Sequence, residues 1–549
     1  MRLITRRSFL GDVAALGATA ATPRLAFAHN HAGSGARVAD TEAIEKEAAG
    51  FANPLRLPGA SGLYGVIRAA EIREVRVVRT EVEVLPGKRT PFLAYVVEAG
   101  GRQFLNPVLL ARRGDEIRVR MVNQLAEPTI IHWHGLSVDA RNDGNGLVVA
   151  GPGETYDYEF MVRDRASMHW YHPHPHGYIP GQVYHGLASV ILVEDDEEAA
   201  LRRELELALG DTEIPLVLQD RNFDAEGRLQ YKITPEEMFH GFIGERLLIN
   251  LTDRPFISAA RRIYRFRILN GSNARTYRLA FLQDGRRLGF YLAGTDGGLL
   301  AAPQRTQQTF ISPGQRLDLL LDLREAKEGR PVTLGTLAFD PMHAEGGGGD
   351  AMAGMDHGKM GASKNPSTAM PGMATEGEAR ALLRIDVKPS PAYGKKIPTT
   401  LSVLPAVKIP AGAPRHIKLA QDGKGQWTIN GWVYDANAVP LTVRRGTAEV
   451  WLIENDRASM PHPMHIHGFH FRILERRNSP AQVSALAGVR GLLPQDLGFV
   501  DTVHVWPGES VRIAFDFSLP YSGDQDYMFH CHNLEHAEVG MMIRYRIKA

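Results

Sequence analysis

The 549-residue chain carries 63 Lys+Arg against 62 Asp+Glu, a formal net charge of +1. That balance excludes the strong basic excess of a nucleic-acid binder, and 44% apolar with 23% charged residues excludes wholesale disorder. A single cysteine excludes an intrachain disulfide, and the length predicts three or four domains at about 150 residues each.

Thr5-Arg6-Arg7-Ser8-Phe9-Leu10 leads into an apolar run, Gly11 to Ala21, and then Ala26-Phe27-Ala28. A charged start, a short apolar run and a small-x-small site read as an export signal over 1–28. The run is too short to cross a bilayer, so no membrane span is expected. Arg6-Arg7 before Phe-Leu resembles a signal for the twin-arginine export machinery, which carries proteins already folded. The expected location is a bacterial periplasm.

The rest reads as β-structure in three copies of one plan. Ile117, Val119 and Met121 alternate with polar residues, as do Tyr264, Phe266 and Ile268, then Val450 and Leu452. Period-two alternation marks strands with one buried face. Each run reaches an Asn: Asn123, Asn270, Asn455. Pro152-Gly153-Glu154, Pro313-Gly314-Gln315 and Pro507-Gly508-Glu509 then open a second alternating strand in each copy. The spacing predicts three β-sandwich domains, 50–196, 208–390 and 397–549, with a helical connector at Glu194–Leu209. The middle copy is nearly bare of histidine, so metal is expected between the first and third.

The stretch 340–380 is dominated by Gly, Met, His, Ala and Ser and holds six of the 16 methionines. It includes Met342, His343, Met352, Met355, Asp356, His357, Met360, Met370 and Met373, and is predicted to be a surface insertion in the second domain.

Four clusters carry the chemistry: His132-Trp133-His134-Gly135; His172-Pro173-His174; His462-Pro463-Met464-His465-Ile466-His467; and His530-Cys531-His532 with His536 and Met541 beyond. On a strand, residues two apart share a face, so each His-x-His pair aims two imidazoles at one point. Cys531 must then face away from His530 and His532. His462, of opposite parity to His465 and His467, can join it. Two imidazoles, a thiolate and a weak thioether from His462, Cys531, His536 and Met541 are the ligand set of a blue-copper centre. Eight remaining imidazoles exceed any mononuclear site and imply a cluster. Structural zinc would close on four ligands with no spare thioether.

These motifs, with Trp170-Tyr171 before His172 and Asn533-Leu534-Glu535 before His536, resemble the four copper signatures of the multicopper oxidases. The resemblance spans the mature chain and implies an all-β fold of three cupredoxin-like Greek-key β-sandwich domains. It implies four copper ions. Type 1 copper would lie on His462, Cys531, His536 and axial Met541, type 2 on His132 and His465. The type 3 pair would lie on His134, His172, His174, His467, His530 and His532. It also implies one-electron oxidations at type 1 copper coupled to reduction of dioxygen to water.

Water formation consumes four protons, so carboxylate relays are expected. Asp143 matches a family aspartate in that role. Family members often carry an acid directly after the last type 1 histidine; here Ala537 stands there and Glu538 one place on. A one-residue slip reverses side-chain direction, which puts Glu538 in doubt as a relay.

Soft thioethers favour cuprous copper. With export, the methionine-rich stretch resembles the cover of copper-efflux oxidases, which detoxify cuprous copper. The expected substrate-copper ligands are Met352, Met355, Asp356, His357 and Met360, with Asp435. The alternative is a laccase-like oxidation of phenols and aromatic amines; a non-catalytic copper store or scaffold is a third reading.

Overall fold

The computed structural model describes residues 35–343, 375–389 and 392–549. Six sheets form three face-to-face pairs: six and five strands at the N-terminal end, seven and seven in the middle, six and five at the C-terminal end. Each pair closes on its own apolar core. Val119, Trp133 and Tyr158 lie in the first, Phe266, Phe281 and Leu319 in the second, Trp451, Phe515 and Phe529 in the third. This is the expected all-β architecture of cupredoxin-like sandwiches.

The sequence repeat has a structural cause. Strand Glu116–Asn123 pairs antiparallel with Thr155–Met161, Ile263–Asn270 with Arg316–Asp322, and Ala448–Asn455 with Ser510–Asp516. In each pair the Pro-Gly glycine donates its N–H to the carbonyl of the repeated Asn: Gly153 to Asn123, Gly314 to Asn270, Gly508 to Asn455. These glycines have φ of 78°, 83° and 75°, which a Cβ disfavours. The three Asn side chains are buried and donate to backbone carbonyls just ahead of the Pro-Gly turns: Asn123 to Ala150, Asn270 to Ile311, Asn455 to Val505. Asn and Gly thus lock the same strand-loop-strand corner three times.

Both repeated strands of the middle unit depart from the alternation: Ile263–Asn270 and its partner Arg316–Asp322 are buried on both faces. Helix Asp196–Leu205 covers the second face, where Arg265 and Arg267 meet Glu198, Glu213 and Asp318 in a fully buried ion cluster. Helix Gly35–Ala49 packs Ile44 and Ala48 on Ala280, Leu282 and Leu337 of the middle unit, and Asn53–Pro54 adds to that unit's sheet beside Pro255–Phe256.

Candidate metal centre

Strand Ile131–His132 lies against Met168–Pro173 with His132 opposite His172. Strand His462–Ile466 lies against Gln525–Cys531 with His465 opposite His530. These two ribbons, one from each terminal sandwich, face each other. His134 stacks on His465 at 3.7 Å between ring centroids, and His132 on His467 at 3.9 Å. All eight imidazoles are buried.

Cys531 projects to the opposite side of its strand. Its Sγ lies 3.6 Å from Nδ1 of His462 and 3.6 Å from Nδ1 of His536, and those nitrogens are 3.3 Å apart. Three such donors spread around one ion at ~2.0–2.3 Å would be ~3.5–3.7 Å apart, so the triangle fits a single metal. The far nitrogens are fixed: His462 Nε2 bonds Ser459 Oγ at 2.9 Å, and His536 Nε2–H donates to the Phe239 carbonyl at 2.8 Å. Met541 is buried in the same core. Its carbonyl accepts from the Cys531 N–H and its N–H donates to the His536 carbonyl. Burial pushes His536 down to about 3 and His462 well below its ordinary value, so both stand as neutral ligands. Burial pushes the Cys531 thiol up, so a thiolate there requires a cation beside it.

The larger set is equally prepared. The Nδ1–H groups of His132, His465, His172 and His530 donate to the carbonyls of Asp143, Asp501, Pro173 and Cys531, and His467 Nδ1–H donates to the Asp143 carboxylate at 2.8 Å. This fixes the tautomers so that Nε2 lone pairs point inward. Donor atoms of His132, His465 and His467 lie within 4.8 Å of one another, as do those of His132, His134 and His172, and of His174, His467 and His530. Nε2 of His132, His172 and His465, Nδ1 of His134 and His174, and both nitrogens of His532 lack hydrogen-bond partners among the described residues. A buried orphan of this kind costs about 1–3 kcal/mol, and metal ions satisfy such lone pairs.

Asp143 sits fully buried between the two ribbons, one carboxylate oxygen on His467 and the other 3.6 Å from His132 Nδ1. Burial raises its carboxyl well above the usual range. Glu538 is elsewhere. Its carboxylate accepts from the backbone N–H groups of Gly177 and Ile179 and faces a surface cavity of about 360 Å³ shared with Tyr178 and Tyr231. None of its hydrogen bonds reaches one of the eight imidazoles; it is the last residue of the short helix Leu534–Glu538 and its carboxylate turns to the Gly177 and Ile179 backbone instead.

Several residues at the centre carry no sequence signature. Asp501 accepts from His134 Nε2–H at 3.1 Å and from Arg316 at 2.8 Å, and Arg316 in turn lies 3.5 Å from Asp296. The middle sandwich therefore braces a metal centre to which it contributes no imidazole. Glu535 is buried, accepting from Tyr231 and Asn273. Asp435 lies in an exposed turn, its carboxylate accepting from Asn437 N–H. Met352, Met355, Asp356, His357 and Met360 lie outside the described residues, as does the stretch 1–28 in which an export signal is expected.

Two sandwiches that share a histidine cluster, with a Cys–His₂ site on the far side of the same strand, define a copper oxidase. The chain belongs to the multicopper oxidase family: multicopper oxidase family models match residues 88–198 and 408–549. It is similar to the crystal structure of McoA multicopper oxidase from Aquifex aeolicus, at 35% identity over 90% of this chain and 99% of that one, with a TM-score of 0.77. Curated relatives include the cell division protein FtsP of Photorhabdus laumondii, 31% identical over 80% of this chain and 82% of that one. A laccase from Bacillus stratosphericus is 30% identical over 79% and 88%. The protein is a copper-dependent oxidoreductase with dioxygen as acceptor. No described helix is long and apolar enough to cross a membrane.

Proposed function

We propose that the protein holds four coppers and couples oxidation of cuprous copper to reduction of dioxygen, in the periplasm. Type 1 copper would be held by His462, Cys531, His536 and Met541, type 2 by His132 and His465, and the type 3 pair by His134, His172, His174, His467, His530 and His532. When bound, the coppers supply one-electron acceptance at the cysteine and four-electron delivery to dioxygen. The residues supply the rest. Cys531 joins the two donor sets through its covalent neighbours His530 and His532, a path of few bonds. Asp143, held on His467, keeps a proton beside the cluster where dioxygen takes up four.

Cuprous copper as reductant rests on one observation. Both ends of the methionine-rich segment, His343 and Glu376, line a cleft with Pro461, Pro463 and Asn533, residues that flank His462 and His536. A thioether-rich stretch therefore begins and ends beside the proposed type 1 ligands. The test is dioxygen uptake by the copper-loaded protein with cuprous copper as sole reductant, corrected for spontaneous oxidation. A fast, saturable rate that falls when 344–374 is deleted supports the reading. A negligible rate with phenols or aromatic amines still oxidised moves it to laccase chemistry, and no turnover with any reductant moves it to a scaffold or store.

A further inference from the structure

Beside the Cys–His₂ triangle lies a second group of soft and nitrogen donors. The cleft that takes both ends of the methionine-rich segment is also lined by His240, Met460 and His504. His504 is 7% exposed, and both its ring nitrogens lack a hydrogen-bond partner among the described residues. Its ring stands on edge to Trp506 at 4.6 Å, and its backbone sits opposite Pro463, next to His462. Across the cleft, His343 Nε2–H donates to the Glu376 carboxylate at 2.7 Å, which leaves His343 Nδ1 as an acceptor. The other Glu376 oxygen accepts from the Thr276 N–H, so the carboxylate is held in place. Carboxylate, imidazole and an open nitrogen in series is the arrangement that orients a metal-binding histidine. His240 stacks on His343 at 5.5 Å with rings 9° from parallel.

The space between these groups is small. The cavity measures about 10 Å³, room for about one water-sized guest and too little for an aromatic ring. Its far wall is continuous with the metal centre. Phe239, whose carbonyl holds His536, precedes His240, and Asn533 donates to the His240 carbonyl at 3.1 Å.

We propose that this cleft is where a cuprous ion is held for oxidation, bound by His343 and His504 with the Met460 thioether, while Glu376 orients His343 and supplies negative charge. The proposal rests on cuprous copper being the reductant. It moves the substrate site from Asp435 to residues at the two ends of the methionine-rich segment. Thioether and imidazole together favour the soft monovalent ion over harder cations. Each ion gives one electron toward the adjacent His462 and His536 and leaves as cupric copper. Four such ions, one dioxygen and four protons yield four cupric ions and two waters.

The test is calorimetric titration of the full-length, copper-loaded enzyme with silver(I), a redox-inert stand-in for cuprous copper. It compares the wild type with His343→Ala, His504→Leu and Glu376→Gln. The expected result is loss of one tight silver equivalent in His343→Ala and His504→Leu, with a smaller weakening in Glu376→Gln. The KM for cuprous copper should rise about tenfold in the first two. Unchanged silver stoichiometry and affinity in both histidine variants would overturn the proposal, leaving the methionine-rich segment as the only silver ligand. His343 lies at the edge of the cleft, so its variant remains informative if His504→Leu loads copper poorly. If the wild type oxidises no cuprous copper, the functional reading fails, yet the silver titration still scores the cleft.

Discussion

Asp143 and His467 are 324 residues apart and belong to different sandwiches, yet the carboxylate accepts a 2.8 Å hydrogen bond from the imidazole with both groups fully buried. The same aspartate offers its backbone carbonyl to His132. One residue therefore sets ring orientation on both sides of the seam. Its second carboxylate oxygen has no hydrogen-bond partner among the described residues, which leaves a protonatable atom 3.6 Å from His132 Nδ1.

Asp143→Asn keeps an oxygen for His467 and removes the titratable proton. Dioxygen turnover at saturating reductant should fall about 10²-fold or more, the usual worth of a positioned acid, with copper content unchanged. Glu538→Gln should change turnover less than about threefold, because that carboxylate caps backbone N–H groups at a surface cavity. Equal losses in the two variants would place the proton path through both.

Arg316 lies fully buried between Asp501 and Asp296. Arg316→Met strands two carboxylates without their cation, a loss of about 3–5 kcal/mol. Thermal unfolding of the loaded protein should drop by on the order of 10 °C. Asp501 also holds His134, so copper retained after dialysis should fall as well. The double variant with Asp501→Asn should lose less than the two single losses added, because the partners share one interaction.

What the sequence revealed and what it hid divide by range. Strand parity separates Cys531 from His530 and His532 because side-chain alternation is local, and the structure puts their donors on opposite sides of the strand. The threefold Asn and Pro-Gly repeat was legible because both ends of each corner fall within one copy. Asp501 and Arg316 were not, because each acts on a residue more than 180 positions away and sits in no motif. His504 looks like an ordinary alternating strand residue; only the third dimension places it beside the cleft. The burial of Arg265 and Arg267 was hidden because the helix covering them comes from another segment.

Cys531→Ser removes the one soft donor of the Cys–His₂ triangle while keeping a side chain of similar shape. The blue absorption should vanish and oxidation of every reductant should cease, while paramagnetic resonance of the type 2 copper proposed on His132 and His465 persists. Retained turnover would refute the assignment of this triangle as the electron-receiving site.

Glu535 gives a pH signature of its own. Its carboxylate is buried, with Tyr231 and Asn273 donating to a single oxygen while the other lacks a partner. Burial pushes it up to about 7 from 4.5. A carboxyl raised by folding binds its proton more tightly in the native state. The stability it contributes is therefore fully present below about 4.5 and lost as pH rises through about 7. A shift of this size corresponds to roughly 3 kcal/mol. Glu535→Gln keeps the oxygen that Tyr231 and Asn273 use and cannot ionise. Between pH 5 and pH 8 the melting temperature of the copper-free wild type should fall further than that of the variant. Glu538, raised in the same direction, should leave a common residual slope in both. Identical slopes in the two proteins would mean that Glu535 is ionised in the folded chain at both pH values, with a donor on its second oxygen that offsets the burial.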